Sequence, residues 1–459
     1  MGVRRQVAWP RDAAAVAHSL ARAGAWFWLD GEAVEPNGSR GRSFLGEAAE
    51  VRWARRGAER EFIDGLRAAD RADWVAALSY ELGVALMGLD PLPDEADPGF
   101  ALRVGTVLVL DHEAGLAELR GPDEGAVDDW LARHGGALEA GVAEMQDPSE
   151  RAGGSESSEP VPSESAPGMA TWRKSRAAYE AEVEACRAAI REGDAYVLCL
   201  TDTAEASGDF DPLLVYRRLR EATQHSAVRG AVIVAGERAL VSSSPERFLS
   251  VRDGRVSTHP IKGTRPRGRD PEEDANLARD LAADPKERAE NLMIVDLMRN
   301  DLSRVCVPGT VAAEEFQRVE SHPAVHQLVS TVSGRIAPDL DLFHVLEACF
   351  PGGSMTGAPK RSAVEILASL EGAPRGLYSG CFGRIEGGGL GAAELAMTIR
   401  SVELRGVGTG NVHARVGAGG GVTIDSDPAK EFAEKDLKAA RLLAALGDEH
   451  ARSTHSAER

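Results

Sequence analysis

The chain has 459 residues, of which 43% are hydrophobic and 27% are charged, and it carries a formal net charge of −19. Its length is enough for a large core and for two or three domains. The negative charge argues against nucleic acid and anionic membranes as partners, because both would repel the chain at long range.

The cysteines predict a reducing compartment. They are Cys186, Cys199, Cys306, Cys349 and Cys381. No two of them have the spacing of a metal site, and five cysteines in a chain of this length are typical of reduced thiols. No apolar run follows the basic N-terminal residues, and no stretch reaches the roughly 18–20 apolar residues of a membrane span. We therefore expect a soluble cytoplasmic protein.

The N-terminal part mixes strand and helix patterns. Residues 26–30 predict a strand and residues 103–111 a buried strand, whereas residues 74–81 fit either a strand or a helix. Residues 146–170 are rich in Ser, Glu, Pro and Gly, which predicts a disordered linker. The expected organisation is an N-terminal region over 1–145, this linker, a larger region over 171–447, and a flexible tail over 448–459.

Helix and strand patterns are clearer after the linker. Apolar side chains recur at helical spacing at Trp172, Tyr179, Val183, Cys186 and Ile190. Gly193 and Asp194 should end this helix, and residues 195–201 and 230–236 predict strands. A helix should run from Pro285 to Arg304 and be well buried, because it is apolar on most sides.

Asp253 and Gly254 predict a two-residue hairpin turn between strands at residues 247–251 and 255–258. If the pairing continues in register, Glu246 faces Ile261, and Glu246 and Lys262 lie at the same end of the hairpin. A carboxylate and an amine in this position can act as an acid and a nucleophile. A surface salt bridge is the alternative, and the hairpin alone favours it.

Helical carboxylates are candidate metal ligands. Glu290 lies near the start of the helix from Pro285, and Asp427-Pro428 should open a last helix that runs through Leu446. In that helix Glu431, Glu434 and Lys438 share one face. One or two carboxylates with water and a substrate anion suit Mg²⁺. The helix dipole also stabilises acids in the first turns of any helix. The spacing alone therefore leaves open whether these acids bind a metal or only stabilise their helix.

Two glycine clusters are candidate anion sites. Gly417-Ala-Gly-Gly-Gly421 precedes an expected strand at residues 422–425 rather than a helix, which argues against a dinucleotide-binding loop. Gly352-Gly-Ser-Met-Thr-Gly357 is followed by Ala358 where a P-loop needs lysine. What remains is backbone that can present N–H groups to an anion such as a carboxylate, or a pair of tight turns.

Together these segments resemble the chorismate-utilising enzymes. The similar blocks stand in the family's order across about residues 172–446: Ser244-Pro-Glu-Arg-Phe-Leu249, His259-Pro-Ile-Lys-Gly-Thr264, Lys286-Glu-Arg-Ala-Glu-Asn291, Val325-His-Gln-Leu-Val-Ser330, Phe350-Pro-Gly-Gly-Ser-Met-Thr-Gly357, Arg375-Gly-Leu-Tyr-Ser-Gly380 and Gly417-Ala-Gly-Gly-Gly421. The resemblance implies an α+β (mixed α/β) fold with a large antiparallel β-sandwich core surrounded by helices, and a chorismate-binding catalytic domain over 171–447.

Within this family, Lys262 suggests one reaction. Anthranilate synthases usually have Ala at this position, whereas aminodeoxychorismate synthases resemble this chain, and their lysine attacks C2 of chorismate before ammonia enters at C4. Isochorismate and salicylate synthases carry a base lysine in the strand corresponding to 195–201, which contains none here. The resemblance implies amination of chorismate to 4-amino-4-deoxychorismate, en route to 4-aminobenzoate. Anthranilate synthesis and a non-catalytic chorismate or tryptophan sensor are the alternatives.

The resemblance also implies roles for individual residues. Lys262 would be the nucleophile, with a pKa lowered by burial near Mg²⁺, and Glu246 would protonate the departing hydroxyl. Glu290 and Glu434 would hold Mg²⁺, with Glu431 in water-mediated contact. The expected substrate contacts are Gly263, Thr264, His326, Thr356, Tyr378, Arg400, Gly419, Gly420, Gly421 and Lys438. Ammonia would come from a separate glutamine amidotransferase subunit.

Overall fold

The computed structural model describes residues 2–32, 41–69, 72–140, 170–223, 229–322 and 325–447. Apart from Ala170, the predicted linker at 146–170 lies outside these ranges, and so does the predicted tail at 448–459. None of the described helices is long and apolar enough to cross a membrane.

The elements described before the linker alternate between strands and short helices. They are β1 (Val3–Val7), α1 (Ala13–Leu20), β2 (Ala25–Asp30), β3 (Arg42–Ala54), α2 (Glu59–Ala68), β4 (Trp74–Leu78), α3 (Tyr80–Leu86), β5 (Gly99–Asp111), β6 (Leu116–Gly121) and α4 (Glu124–Glu139). The strands predicted at 26–30 and 103–111 are confirmed by β2 and β5. The ambiguous segment at 74–81 is divided between β4 and the start of α3.

The elements after the linker include the longest helices of the described chain. They are β7 (Thr171–Trp172), α5 (Arg176–Glu192), β8 (Val197–Gly208), α6 (Pro212–Thr223), β9 (Arg229–Ala235), β10 (Arg238–Ser244), β11 (Arg247–Arg252), β12 (Arg255–Thr258), β13 (Ile261–Pro266), α7 (Pro271–Ala283), α8 (Pro285–Ser303), β14 (Ala312–Ser321), β15 (Val325–Arg335), α9 (Leu342–Cys349), β16 (Gly357–Ala358), α10 (Lys360–Glu371), β17 (Cys381–Ile385), β18 (Ala393–Met397), β19 (Ser401–Arg405), β20 (Val412–Val422) and α11 (Pro428–Ala445).

Throughout the described residues the strands pair antiparallel. Helices pack on this sheet, and the largest buried cluster draws side chains from both α8 and α9. The predicted mixed fold of antiparallel sheet and surrounding helices is therefore confirmed.

The two sequence regions on either side of the linker share this sheet. Trp26 of β2 pairs with Val234 of β9, and Ala76 of β4 pairs with Gly383 of β17. The domain boundaries drawn from the sequence stay a prediction, but the strands on the two sides of the linker are joined by backbone hydrogen bonds.

The Asp253-Gly254 turn is confirmed, with φ values of 51° and 70° and Arg252 opposite Arg255. The ladder between β11 and β12 ends at Ser250 opposite Ser257. The expected pairing of Glu246 with Ile261 is wrong, because Ile261 opens a separate strand and pairs with Val329 of β15. A register shift follows Ile261, since Gly263 adopts a left-handed φ of 83° and bends the strand.

Three other expectations change in detail. Trp172 lies in β7 rather than at the start of a helix, and α5 begins at Arg176 behind the N-cap Ser175. Helix α8 buries only one face, and Leu292 on its other side is 51% exposed. The glycine run does not precede a strand at residues 422–425 but lies inside β20.

Candidate active site

Several of the predicted polar residues meet at the end of β20, where the glycines carry no side chains. A Cβ atom added to Gly420 would lie 3.0 Å from a carboxylate oxygen of Glu431 and 3.9 Å from one of Glu434. A Cβ added to Gly421 would lie 3.6 Å from the Nζ atom of Lys262. The two acids and the amine thus approach the same short stretch of backbone.

Glycine is required in this strand for close packing. A Cβ at Gly417 would lie 2.1 Å from the Tyr378 ring, and one at Gly419 would lie 2.1 Å from the Leu200 carbonyl oxygen. Pairing with β19 ends at Val416, whereas pairing with β8 continues to Val422. One edge of the glycine run is therefore not covered by β19, and its backbone groups can face a ligand.

Lys262 reaches this backbone from β13. The left-handed Gly263 turns the strand directly after it, and the lysine is half-buried. Burial lowers the pKa of Lys262, but the charges of Glu290, the Cys199 thiol, Glu246 and Glu434 outweigh it, so that the pKa is raised. The lowered pKa expected for this lysine beside Mg²⁺ stays a prediction. The amine stays protonated while these acids are its main electrostatic neighbours.

Glu246 lies in the bend between β10 and β11 and is buried. The Ser354 hydroxyl donates a 2.6 Å hydrogen bond to its Oε1 atom. Burial raises the pKa of Glu246 above its ordinary value, although the bond from Ser354 and the charge of Lys262 oppose the change. A carboxyl group in this setting keeps its proton to higher pH than a free one, as a general acid requires.

Two of the helical acids, Glu431 and Glu434 of α11, lie against Gly420, and the charge of Glu290 of α8 interacts with Lys262. Burial raises the pKa of Glu290 and also that of Glu431, whose Oε1 accepts a 2.7 Å hydrogen bond from Ser426. Burial also acts on Glu434, but Lys438, Lys286 and Lys262 outweigh it and lower its pKa. Lys438 bonds both Glu434 Oε1 at 2.6 Å and the Gly419 carbonyl at 2.8 Å.

These acids fit a hard divalent cation by their donor chemistry. The donors are carboxylate oxygens, and those of Glu431 and Glu434 lie beside the backbone of Gly420, which carries no side chain. Among the described residues no three His, Cys, Asp or Glu side chains are grouped closely enough to hold a metal alone. Two acids with water and a substrate anion are the arrangement that Mg²⁺ prefers, so the residues fit Mg²⁺ but not a site made only of protein ligands.

Arg400 and Tyr378 lie next to residues of this site, Arg400 beside Lys438 and Tyr378 beside Gly417. Arg400 has a left-handed φ of 51° and donates to the Lys438 carbonyl at 2.9 Å. Burial and the charge of Arg441 lower its pKa. No carboxylate in the described ranges lies within ion-pair distance of Arg400, so its guanidinium can bind a carboxylate of a ligand. Burial raises the pKa of Tyr378, which keeps its hydroxyl neutral.

Other predicted contacts have different neighbours. The buried ring of His326 meets Ser321 at 2.8 Å through Nδ1 and Asp274 at 2.9 Å through Nε2, so both nitrogens are occupied. Thr356 is buried and donates to the Gly352 carbonyl at 3.2 Å, and Thr264 is exposed on β13. The substrate-contact roles of these residues stay predictions.

Two residues that lie beside Glu246 and Lys262 were not predicted from the sequence. They are Ser354 and Cys199. Ser354 lies within the glycine cluster at 352–357, where the sequence pattern draws attention to the glycines and the resemblance only to Thr356. Cys199 is the register partner of Gly421, so its side chain lies on the same face as Lys262. No local signal in the sequence indicates that β8 and β20 are neighbours, so Cys199 could not have been identified without the strand pairing.

The fold is similar to those of solved chorismate enzymes. Anthranilate synthase component I from Streptococcus pneumoniae superposes with a TM-score of 0.71 at 24% identity, covering 88% of this chain and 92% of that one. The menaquinone-specific isochorismate synthase from Escherichia coli gives a TM-score of 0.69 at 18% identity, covering 97% and 94%. At these identities the likeness establishes the fold alone.

Sequence relatives point to the same family. Aminodeoxychorismate synthase from Streptomyces griseus is 42% identical over 81% of this chain, and that from Streptomyces pristinaespiralis is 40% identical over 83%. An anthranilate synthase component 1 from Halobacterium salinarum is 41% identical over 59% of this chain. The chain covers 50%, 52% and 50% of these three relatives. The family model described as chorismate binding enzyme matches residues 17–444, and this chain belongs to that family.

Proposed function

We propose that this chain aminates chorismate to 4-amino-4-deoxychorismate with ammonia from a separate glutamine amidotransferase subunit. The observation that carries the proposal is the amine of Lys262 beside Gly421, where direct attack by ammonia alone would need no lysine. The aminodeoxychorismate synthases from two Streptomyces species are similar over about four fifths of the chain, which supports the same choice.

The surrounding groups would hold the substrate by its negative charges. Arg400 would bind one carboxylate of the substrate with two N–H groups. Backbone N–H groups on the uncovered edge of the glycine run would donate hydrogen bonds to the other carboxylate. Glu290 and Glu434 would hold Mg²⁺, which supplies positive charge to the ring carboxylate when bound. Lys438 would keep Glu434 ionised and directed toward Gly419 and Gly420.

The reaction would then proceed in two displacements. Lys262 first gives up its proton to solvent. Its neutral amine then forms a bond to C2, the ring double bonds shift, and the C4 hydroxyl leaves as water with a proton from Glu246. Ammonia next forms a bond to C4, the double bonds shift back, the bond from C2 to Lys262 breaks, and the new ammonium group at C4 returns a proton to Glu246. The net change is chorismate plus ammonia to 4-amino-4-deoxychorismate plus water, with both side chains regenerated.

The setting of this reaction is proposed from composition and burial. All five cysteines are free and buried, which fits the reducing environment of a cytoplasm. The product would be a precursor of 4-aminobenzoate, used for folate or for a secondary metabolite.

Replacing Lys262 by Ala tests the proposal. We expect formation of 4-amino-4-deoxychorismate to fall by about 10³-fold, because the covalent step is lost, while chorismate affinity changes less than about threefold. The assay uses chorismate, Mg²⁺ and ammonium, with the lyase that releases 4-aminobenzoate as the detecting enzyme. Lys430→Ala, which removes an exposed lysine of α11, is the matched control and should retain full activity.

The main alternative is anthranilate synthesis, which the similarity to the Halobacterium protein also supports. Fluorescent anthranilate formed by the unmodified chain without lyase would contradict the proposal. So would a Lys262→Ala variant that still makes 4-amino-4-deoxychorismate at the original rate.

A further inference from the structure

A buried carboxylate from the N-terminal region holds the segment that carries Tyr378. Glu81, in the first turn of α3, is 6% exposed. Its Oε1 atom accepts a 2.7 Å hydrogen bond from the backbone N–H of Arg375, and its Oε2 atom accepts a 3.1 Å bond from the N–H of Gly376. The neighbouring Tyr80 donates its own N–H to the Gly376 carbonyl at 3.0 Å, and its ring lies 4.2 Å from the Arg375 guanidinium.

The held segment leads directly into the candidate active site. The next backbone N–H, that of Leu377, donates to Glu403 at 3.0 Å, so buried carboxylates bind three consecutive amides. The side chain of Arg375 donates to the carbonyl oxygens of Cys199 at 2.9 Å and Met355 at 2.7 Å. Tyr378 follows, with its ring against Gly417. A shift of this segment would therefore move Tyr378 and the β8 backbone beside the glycine run.

We infer that Glu81 is a positioning residue of the active site, and that its ionised carboxylate fixes the 375–378 segment in the orientation that binds substrate. The inference rests on the proposed function for its assay. It gives a role to a residue outside the predicted catalytic domain, for which the resemblance implies none. Both carboxylate oxygens are needed, since each accepts a bond from a different amide.

The protonation state of Glu81 makes this role sensitive to pH. Burial raises its pKa to about 7, although hydrogen bonds from backbone amides and the charge of Arg415 favour the ionised form. Asp94 raises the pKa further, whereas Arg415 lowers it. The other titratable groups that line the same two cavities as Glu81 are Arg56, Glu59, Tyr80, Asp90, Glu365, Glu371 and Arg375. A protonated carboxyl would turn one oxygen into a donor opposite an N–H donor, so the contact to the segment should weaken below about pH 7.

Stability and activity should therefore change with pH in opposite directions. A carboxyl whose pKa is raised by folding contributes stability below its unfolded pKa, and this contribution is lost as pH rises through the folded pKa. In contrast, kcat/KM should increase as pH rises through about 7, because the ionised carboxylate then positions the 375–378 segment. A rise of kcat/KM in this range without a rise of Tm cannot come from a general gain in stability.

The test compares Glu81→Gln with Glu59→Gln. The amide introduced by Glu81→Gln keeps one acceptor but places N–H groups opposite the second backbone amide, so we expect kcat/KM for chorismate to fall roughly tenfold or more, mainly through KM. Glu59 is a second buried acid that lines the same small cavity, but it accepts a 2.9 Å hydrogen bond from the Gly57 amide and none from the 375–378 segment. Its variant should leave kcat/KM unchanged.

The pH profile gives the second readout, with free ammonia held constant across the range. The unmodified chain should lose kcat/KM below about pH 7, and Glu81→Gln should lack that inflection. If Glu81→Gln does not fold, Glu81→Asp replaces it, and its shorter carboxylate should raise KM while retaining a pH-dependent limb. Unchanged kcat/KM and an unchanged profile in the folded variant would overturn the inference. A fall in Tm alone would also overturn it.

Discussion

Lys262 lies near several acidic groups, and their combined charge raises its pKa. The resemblance implies a pKa lowered by burial near Mg²⁺, and that stays a prediction. Sequence reasoning could identify each acid as a candidate but could not sum their effect on one lysine, because the distances were unknown. At neutral pH the amine needs added positive charge nearby to become a nucleophile.

Glu290 and Glu434 should make the stability of the chain depend on Mg²⁺. Because a cation bound to the folded state shifts the equilibrium toward it, we expect saturating Mg²⁺ to raise Tm by about 2–5 °C. Burial raises the pKa of Glu290, and protons compete with the metal, so the shift should grow as pH rises from about 5 to 8. Differential scanning fluorimetry across this range measures it.

The matched variants for that experiment are Glu290→Gln, Glu434→Gln and Glu272→Gln. The first two should abolish most of the Mg²⁺-dependent shift, whereas the substitution at Glu272, an exposed acid of α7, should leave it intact. An equal shift in all three variants would mean that the cation binds elsewhere and that the assigned ligands are wrong.

Among the elements, β20 shows where local sequence patterns are insufficient. Glycine is disfavoured in strands, so the sequence pattern predicts that the run at 417–421 precedes a strand. Pairing with β8 and close packing against Tyr378 override that preference. In contrast, the Asp253-Gly254 turn and the Asp427 N-cap depend on neighbouring residues only, and both are confirmed.

Gly417→Ala should disturb the site through packing. The added methyl group would overlap the Tyr378 ring, so we expect a loss of about 2–3 kcal/mol in the free energy of unfolding and at least a roughly tenfold fall in kcat/KM. Gly136→Ala in α4 is the control, because its Cβ would meet no atom within 4 Å and alanine favours a helix. Urea denaturation and steady-state kinetics would show the contrast. A harmless Gly417→Ala would refute the packing role of this glycine.

At the scale of the whole molecule, the sequence indicates a linker but not what the two sides share. Residues 146–170 differ sharply in composition from their flanks, which favours a division of the chain there. Strand patterns such as 26–30 predict strands but do not identify their partners. The pairing of β2 with β9 and of β4 with β17 follows from long-range contacts that no single sequence pattern specifies.

This shared sheet predicts that residues 171–447 do not fold alone. Their expression without the N-terminal region would expose the edges of β9 and β17, so we expect insoluble or unfolded protein by circular dichroism and gel filtration. A protease site inserted within 146–170 is the control, because cutting it should leave both pieces associated and active. A soluble, active 171–447 fragment would disprove the dependence.

The edge of the glycine run has a consequence for how this protein could change its substrate. A binding surface made of main-chain groups keeps the same hydrogen-bond donors and acceptors when its residues are substituted. A substitution of one of these glycines would add only the volume of a side chain. New selectivity would therefore have to arise from side chains opposite the run, such as Val197, whose Cγ2 atom would lie 3.5 Å from a Cβ added to Gly421. Engineering of this protein toward other ring acids should vary those facing positions and leave β20 untouched.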